Sequence, residues 1–399
     1  MEELVPTLVR RTEAKMVLIV MDGLGGFRSS ERGSELTEAK IPNLDQLAAE
    51  GSSGLLTMVA PGITPGSGAG HLALFGYDPI EYTLGRGALS AAGIGIELKP
   101  GEIAARANFC TVDAMGRVVD RRAGRITTEV NRRLCAQINA AVQLEEGVSA
   151  LFYTERDHRA VLILKGDALS PMIRDTDPQI LGLVPHDPAP LAEQAVRTAD
   201  LVEKLLAQVR IILKDEPANF ILLRGFDTQR GLPRFPERYG LRARGIASYP
   251  MYLGLAKIVG METPPPVAGW IEAVEELHSS WDQYDFFYLH LKGTDAAGED
   301  GDFERKCLEI ERVDATIPAI RALNPEVICV TGDHSTPSQL MRHSWHPVPF
   351  ILWGSQVGMD SVCYFNEEAA RAGAFGHRMA KELMALILAS SGRLITYGA

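Results

Sequence analysis

The chain has 399 residues, 46% of them apolar and 23% charged, with mean hydropathy near zero, so it is an ordinary globular chain of two to three domains' length. Its net charge of -11 argues against a general nucleic-acid binder, which needs a basic face, though local arginines could still hold an anionic substrate. Five scattered cysteines without a CxxC, no apolar run of the ~20 residues a membrane span needs, and a charged amino-terminal stretch point to a reducing cytoplasm and no membrane partner.

Along the chain, the run Met16–Val20 predicts a parallel strand buried on both faces, ending in the turn Asp22-Gly23. A helix is expected over Ile41–Glu50. Glycine then dominates residues 51–101, where Pro61–Gly70 reads as a long loop opening a helix at about His71–Gly76. The middle is rich in arginine (Arg106, Arg117, Arg121, Arg122, Arg125, Arg132, Arg133) and is expected to form an inserted domain over 105–232. The remainder, 1–104 and 233–399, would then be the enclosing domain. Further strands are expected at Val161–Leu164, Phe220–Leu223, Phe286–Leu291, Val327–Val330 and Phe350–Trp353. Helices are expected at Leu191–Leu213, Trp270–Ser280, Phe303–Leu323 and Glu367–Ser391. Alternation of strands and helices predicts an α/β fold with mostly parallel sheets.

Polar groups follow the strands. Asp22 leaves the first, Asp295 lies just past Phe286–Leu291, and Asp333-His334 follow Val327–Val330. Ligands of open parallel sheets bind at the carboxyl ends of the strands. A single Asp there is ordinarily a cap or turn residue. Three on one rim would repel unless a cation lies among them, and carboxylate with imidazole suits Mn²⁺, Zn²⁺ or a similar ion. His343 and His346 follow within about ten residues. Glu299 is four residues past Asp295, on the same face if the segment is helical, although glycines make a loop equally plausible. Ser67 precedes a helix among small neighbours, where amide groups favour an anion; the alternative is a merely flexible loop. Position 28 is Arg28, so Gly23-Leu24-Gly25-Gly26 fails as a dinucleotide fingerprint, and no P-loop pattern occurs. Arg121, Arg122 and Arg125 fall within five positions, and Arg86, Arg159, Arg224 and Arg242 are single candidates for phosphate or carboxylate binding. Asp175 and Asp177 could bind hydroxyls or set the turn before Pro178.

Met21–Gly26, Thr64–His71 with Phe75–Pro79, Gly85-Arg86-Gly87, Asp120–Arg125, Lys292–Asp302, and Thr331–Pro337 with His343-Ser344 and Pro347–Pro349 occur in this order. Together they resemble the archaeal-type cofactor-independent phosphoglycerate mutases of the alkaline phosphatase superfamily. The resemblance spans nearly the whole chain. It implies an alkaline-phosphatase-like, mostly parallel sheet sandwiched by helices, with a smaller inserted α/β cap. It implies interconversion of 3-phosphoglycerate and 2-phosphoglycerate in glycolysis and gluconeogenesis, without 2,3-bisphosphoglycerate, in the cytoplasm. Ser67 would carry the phosphoryl group. Asp22, Ser67, Asp333 and His334 would hold one divalent metal, and Asp295, residue 299 and His343 the other. Manganese is expected, with Mg, Zn or Co as alternatives. Arg121, Arg122 and Arg125 head the cap residues expected to bind substrate, with Arg86, Arg159, Asp175, Arg224 and Arg242. The family pattern has histidine where this chain has Glu299, so either Glu299 or His346 would complete the second site. The runner-up activity is a metal-dependent phosphomonoesterase or a phosphotransferase on another small substrate. The oligomeric state is left open.

Overall fold

A computed structural model describes residues 4–228 and 231–398. The chain divides into two compact units: residues up to Thr83 together with those from Leu232, and an inserted Leu84–Gly231. Strands β1 (Met16–Met21) and β2 (Ser52–Thr57) precede the insertion. Within it lie β3 (Glu102–Val112), β4 (Val118–Asp120), β5 (Ser149–Arg156), β6 (Arg159–Lys165) and β7 (Phe220–Asp227). The first unit resumes with β8 (Ala243–Ala247), β9 (Phe286–Leu291), β10 (Val327–Thr331), β11 (Val348–Gly354) and β12 (Gly376–Met379).

The first unit is built on a seven-stranded sheet of order β12-β2-β11-β10-β1-β9-β8. Only the β2–β11 and β11–β10 pairings are antiparallel. The result is a mixed α/β fold with a mostly parallel sheet. Strands β1, β9 and β10 are buried along their whole length. Each Leu, Ile or Val so placed contributes roughly 1.5–3 kcal/mol, which is why these segments read as unbroken apolar runs. The register pairs Met21 with Leu291 and Val20 with Thr331, so the three strands end level and the chain leaves them at one rim.

The second unit differs from expectation in kind: its five-stranded sheet is antiparallel throughout. One face packs on the helices Thr128–Ala141 and Val196–Ile212, around Phe109, Phe152, Leu134, Ile138, Leu205 and Val209. The junction expected between 104 and 105 falls inside β3, whose ladder with β6 runs unbroken from Glu102 to Asn108. The helix Arg86–Gly93 belongs with that sheet, so the division lies before Leu84. The second junction falls one residue from position 232.

Three helices depart from the periodicity. The helix expected from His71 begins at Ser67 and runs to Leu74. Gly70 is inside it because a Cβ there would lie 2.0 Å from the Asp333 carbonyl oxygen, so the helix can approach that loop only without a side chain. Phe303–Leu323 is two helices, Phe303–Asp314 and Ile317–Ala322, since Pro318 fits a first turn but not a helix interior. Glu367–Ser391 is a helical turn, β12 and the helix Leu383–Ser390, because β12 pairs with β2 to extend the sheet. Among the described residues no helix is long and apolar enough to cross a membrane.

Candidate active site

Asp22 follows β1, Asp295 sits in the first turn of the helix Gly293–Glu299 after β9, and Asp333-His334 follow β10. All four are fully buried. His334 Nε2 lies 3.2 Å from Asp22 Oδ1, 3.4 Å from Asp333 Oδ2, 4.0 Å from Asp295 Oδ1 and 3.3 Å from Ser67 Oγ. His343 Nε2 lies 3.5 Å from Asp295 Oδ1 and 4.0 Å from Glu299 Oε1. The imidazoles stack at 3.7 Å.

Each ring is oriented by its other nitrogen. His334 Nδ1 is 3.0 Å from Thr336 Oγ1, which in turn donates to Asp295 Oδ1 at 2.7 Å. The hydroxyl has one proton to give, so it accepts from the ring. His343 Nδ1 donates to the Pro65 carbonyl at 3.1 Å. Both Nε2 atoms therefore face the carboxylates, the arrangement that imidazole ligands take from such partners.

Four side chains outside the expected set surround this cluster. Lys292 hydrogen-bonds Asp295 Oδ2 and lies 3.5 Å from Asp22 Oδ2. Tyr252 donates to Asp22 Oδ2 at 2.5 Å. His71 Nδ1 donates to the Ser67 carbonyl at 2.8 Å and lies 3.3 Å from Asp333 Oδ2. His290, a buried imidazole in an otherwise apolar strand, is 3.4 Å from Asp22 Oδ2. That polar break in Phe286–Leu291 and the position of Lys292 three residues before Asp295 were signals available in the sequence. Tyr252 gave none, because its helix Pro250–Ile258 reads as plain core.

Burial pushes the carboxyl of Asp22 up, but Lys292, His290 and His334 hold it well below the usual range. Burial pulls His334 down, yet Asp333, Asp22 and Asp295 raise it to about 9. In the absence of a metal the carboxylates thus recruit a proton onto the imidazole, which a divalent cation would displace. Asp22 Oδ1 and Asp333 Oδ2 are buried without hydrogen-bond partners. Asp22, Asp333 and His334 offer donor atoms within 4.8 Å of one another, and so do Asp295, His334 and His343. These orphaned oxygens and mixed oxygen–nitrogen donors fit divalent ions.

His346 is not in this cluster. It stacks between Phe27 at 4.6 Å and Trp345 at 4.5 Å, with Nδ1 3.0 Å from Ser344 Oγ. The ring is held by its flat neighbours, and Glu299 is the residue beside His343.

Within the inserted unit, Arg121 donates to Asp177 Oδ1 at 3.2 Å and Oδ2 at 2.6 Å, and Arg224 Nη1 lies 3.6 Å from the same carboxylate. Arg224 Nε is 3.9 Å from Asp175 Oδ2, and Asp175 Oδ1 accepts from the Gly225 amide at 2.7 Å. Arg122 and Arg125 flank a turn whose amides at 122 and 124 donate to Asp120, and both are exposed. Arg159 opens β6 opposite Asn108, and Arg86 starts its helix after Gly85. Asp177, which pins two of the expected arginines, belongs to the set. Burial, together with Arg159 and Arg122, lowers His158 to about 4, so the ring beside this turn is neutral. Arg242 lies elsewhere. It immediately precedes β8 in the first unit and pairs with Asp285, which precedes β9, at 2.9 Å. Both residues stand at the amino edge of a parallel sheet whose carboxyl edge holds Asp22, Asp295 and Asp333, so Arg242 is a structural ion pair.

The family model for 2,3-bisphosphoglycerate-independent phosphoglycerate mutase matches residues 48–219. A Thermus thermophilus protein named "Probable 2,3-bisphosphoglycerate-independent phosphoglycerate mutase" is 50% identical over 98% of both chains. One of the same name from Thermotoga maritima is 45% identical over 100% of this chain and 99% of its own. Among solved structures, the cofactor-independent phosphoglycerate mutase of Thermoplasma acidophilum is 29% identical with a TM-score of 0.69, covering 95% of this chain and 100% of that one. A Pyrococcus horikoshii protein is 27% identical with a TM-score of 0.83, covering 97% and 99%. The chain belongs to the family of 2,3-bisphosphoglycerate-independent phosphoglycerate mutases.

Proposed function

We propose that this chain interconverts 3-phosphoglycerate and 2-phosphoglycerate, with the phosphoryl group passing through Ser67 and no 2,3-bisphosphoglycerate required. The observation that carries the reading is the position of Ser67. Its hydroxyl heads the helix Ser67–Leu74 and lies 3.3 Å from His334 Nε2, beside the buried Asp22 Oδ1 and Asp333 Oδ2, which have no hydrogen-bond partner. Asp22, Ser67, Asp333 and His334 would hold one divalent ion, and Asp295, Glu299 and His343 the other. Such ions lower the pKa of a ligating hydroxyl and stabilise charge on a transferring phosphoryl group. We assign manganese first, because oxygen donors outnumber nitrogen; Mg, Zn and Co are the alternatives.

This chain's own groups do the rest. The free amides at the start of the helix favour negative charge on Ser67 Oγ and on the phosphoryl oxygens it accepts. Lys292 offsets the charge of Asp22 and Asp295. Thr336 and the Pro65 carbonyl fix the two rings, and His71 ties the Ser67 backbone to Asp333. Arg86, Arg121, Arg122, Arg125, Arg159 and Arg224 would bind the carboxylate and phosphate of the substrate, and Asp175 a hydroxyl. This makes the inserted unit the substrate-binding cap. Water must be excluded while Ser67 is phosphorylated, since hydrolysis there would make a phosphatase. We place the chain in the archaeal-type branch and the alkaline phosphatase superfamily, acting in glycolysis and gluconeogenesis in the cytoplasm. Its five cysteines are all free, as a reducing compartment requires.

The test is a coupled assay of metal-loaded protein on 3-phosphoglycerate without bisphosphoglycerate, following both 2-phosphoglycerate and inorganic phosphate. Formation of 2-phosphoglycerate with little phosphate is the expected result. Phosphate alone would overturn the mutase reading in favour of a phosphomonoesterase.

A further inference from the structure

One face of the inserted unit's sheet packs on its two long helices; the other carries the helix Arg86–Gly93 over Ala104, Val161 and Ile163, with polar residues beside it. Ala105, Ala107 and Phe109 of β3 enter the core, and the alternate residues Arg106 and Asn108 face the other way. Arg106 is in register with Arg224 of β7, so both guanidinium groups leave the same face. Burial and the neighbouring Arg121 and Arg106 lower the pKa of Arg224, against Asp177 and Asp175.

The β3–β7 ladder beside Arg106 is irregular, and so is the β5–β6 ladder one strand beyond the regular β3–β6 pairing. In the first, Ala104 pairs with Asp227 but Arg106 with Arg224, so β7 carries an extra residue where Gly225 adopts φ +62. In the second, Thr154 pairs with Ala160 but Arg156 with Arg159, which makes Glu155 the odd residue of β5. Bulges of this kind re-aim side chains, and they concentrate next to functional sites.

The atoms these bulges bring together are unsatisfied. Arg106 Nε donates to Ser90 Oγ at 2.9 Å, but its Nη2 has no hydrogen-bond partner. The nearest anion is Glu155 Oε1 at 3.9 Å, beyond hydrogen-bond range. Neither oxygen of Glu155 has a partner, although its side chain is only 1% exposed, against 9% for Arg106. Arg224 Nε and Asn108 Oδ1 are orphaned too. Buried ions left without hydrogen bonds are costly, and this pair, at 3.9 Å, is about 1 Å too long for a direct bond, so a polar group seated beside both atoms would satisfy them. That group must donate to a carboxylate and accept from two guanidinium groups. A hydroxy acid does both.

We infer that Arg106, Glu155 and Arg224 form a subsite for the hydroxy-acid part of the substrate, in which Glu155 accepts from a hydroxyl while the two arginines donate to the carboxylate. This rests on the phosphoglycerate reading above and adds the residues that distinguish glycerate from simpler acids.

The experiment measures KM for 3-phosphoglycerate and the inhibition constant of 2-phosphoglycolate, which has the carboxylate and phosphate but no free hydroxyl. It uses the full-length metal-loaded protein. In Glu155→Gln, KM is expected to rise about tenfold with the phosphoglycolate constant within about twofold of wild type. In Arg106→Lys, both should rise about tenfold. Equal shifts or no shift for the two ligands in a Glu155→Gln protein of wild-type melting temperature would overturn the subsite and leave water in the gap. Should Glu155→Gln fail to fold, Ser90→Ala releases only Arg106 Nε. A rise of about threefold in both constants is then expected, and unchanged constants overturn the proposal. A wild-type protein that engages neither ligand would instead refute the function reading itself.

Discussion

At the carboxyl rim of the first sheet, Asp22, Asp295 and Asp333 converge on His334, with Lys292 bridging two of them. On the inserted sheet, Arg106, Arg121 and Arg224 converge on Asp175, Asp177 and Glu155. The first cluster leaves orphaned oxygens and draws a proton onto an imidazole. The second leaves orphaned guanidinium nitrogens, and its His158 stays neutral. Acceptors in excess call for cations; the second cluster, which also leaves both Glu155 oxygens and Asn108 Oδ1 without partners, calls for a group that carries donors and acceptors together. The two clusters match the two tasks that the proposed function assigns them, activating the nucleophile and recognising the substrate.

The comparison breaks first at Ser67. Ser67→Ala removes the acceptor of the phosphoryl group without touching the core, and turnover should fall at least about a thousandfold with the circular dichroism spectrum unchanged. Residual turnover near wild type would take Ser67 out of the reaction. Next comes metal removal. Dialysis against a chelator should cost roughly two orders of magnitude or more in kcat, restored by Mn²⁺, while affinity for phosphoglycolate falls much less. Equal loss of both would mean that the acidic rim, not the arginine cluster, holds the substrate.

Arg121→Ala reads the other unit. Losing a bidentate, charge-assisted donor should raise KM by about 10- to 100-fold with metal affinity intact. Arg242→Ala is the matched control. Arg242 is 59% exposed but Asp285 only 9%, with Arg393 3.6 Å from the same carboxylate, so the substitution should lower the melting temperature and leave KM within about twofold. A KM effect as large as that of Arg121→Ala would return Arg242 to the substrate site.

Much of this was legible before any coordinates. Unbroken apolar runs such as Met16–Met21 mark doubly buried strands, and the polar residues following them fall on one rim because parallel strands share a direction. The inserted sheet was harder. Its β6 and β7 read as apolar runs, but β3 and β5 mix polar and apolar residues, and Arg106 and Arg224 become neighbours only through the β3–β7 register. Asp177 looked like a turn residue, and Glu155 is set apart only by a bulge. Arg242 shows the converse: a basic residue beside a strand carries no mark of which end of the sheet it occupies. Ser67 looked like loop because glycines lower helix propensity, and the close approach of Gly70 to Asp333 outweighs that.

The smallest expected effect tests the most peculiar residue of the rim. Glu299 ends the helix that begins the second metal group, one turn after Asp295, and its Oε1 lies 4.0 Å from His343 Nε2. Its side chain is 50% exposed, whereas Asp295 is fully buried, so it is the loosest member of the ring. An oxygen donor there favours harder ions, and an imidazole would favour Zn²⁺ or Co²⁺. Glu299→His should therefore keep activity but lower the half-saturating Zn²⁺ concentration relative to that of Mn²⁺ by about three- to tenfold. The ratio comes from titrating metal-free protein with each ion, with calorimetry as an independent reading of affinity. An unchanged ratio in both would place Glu299 outside the metal's reach and leave Asp295 and His343 to hold the second ion with water.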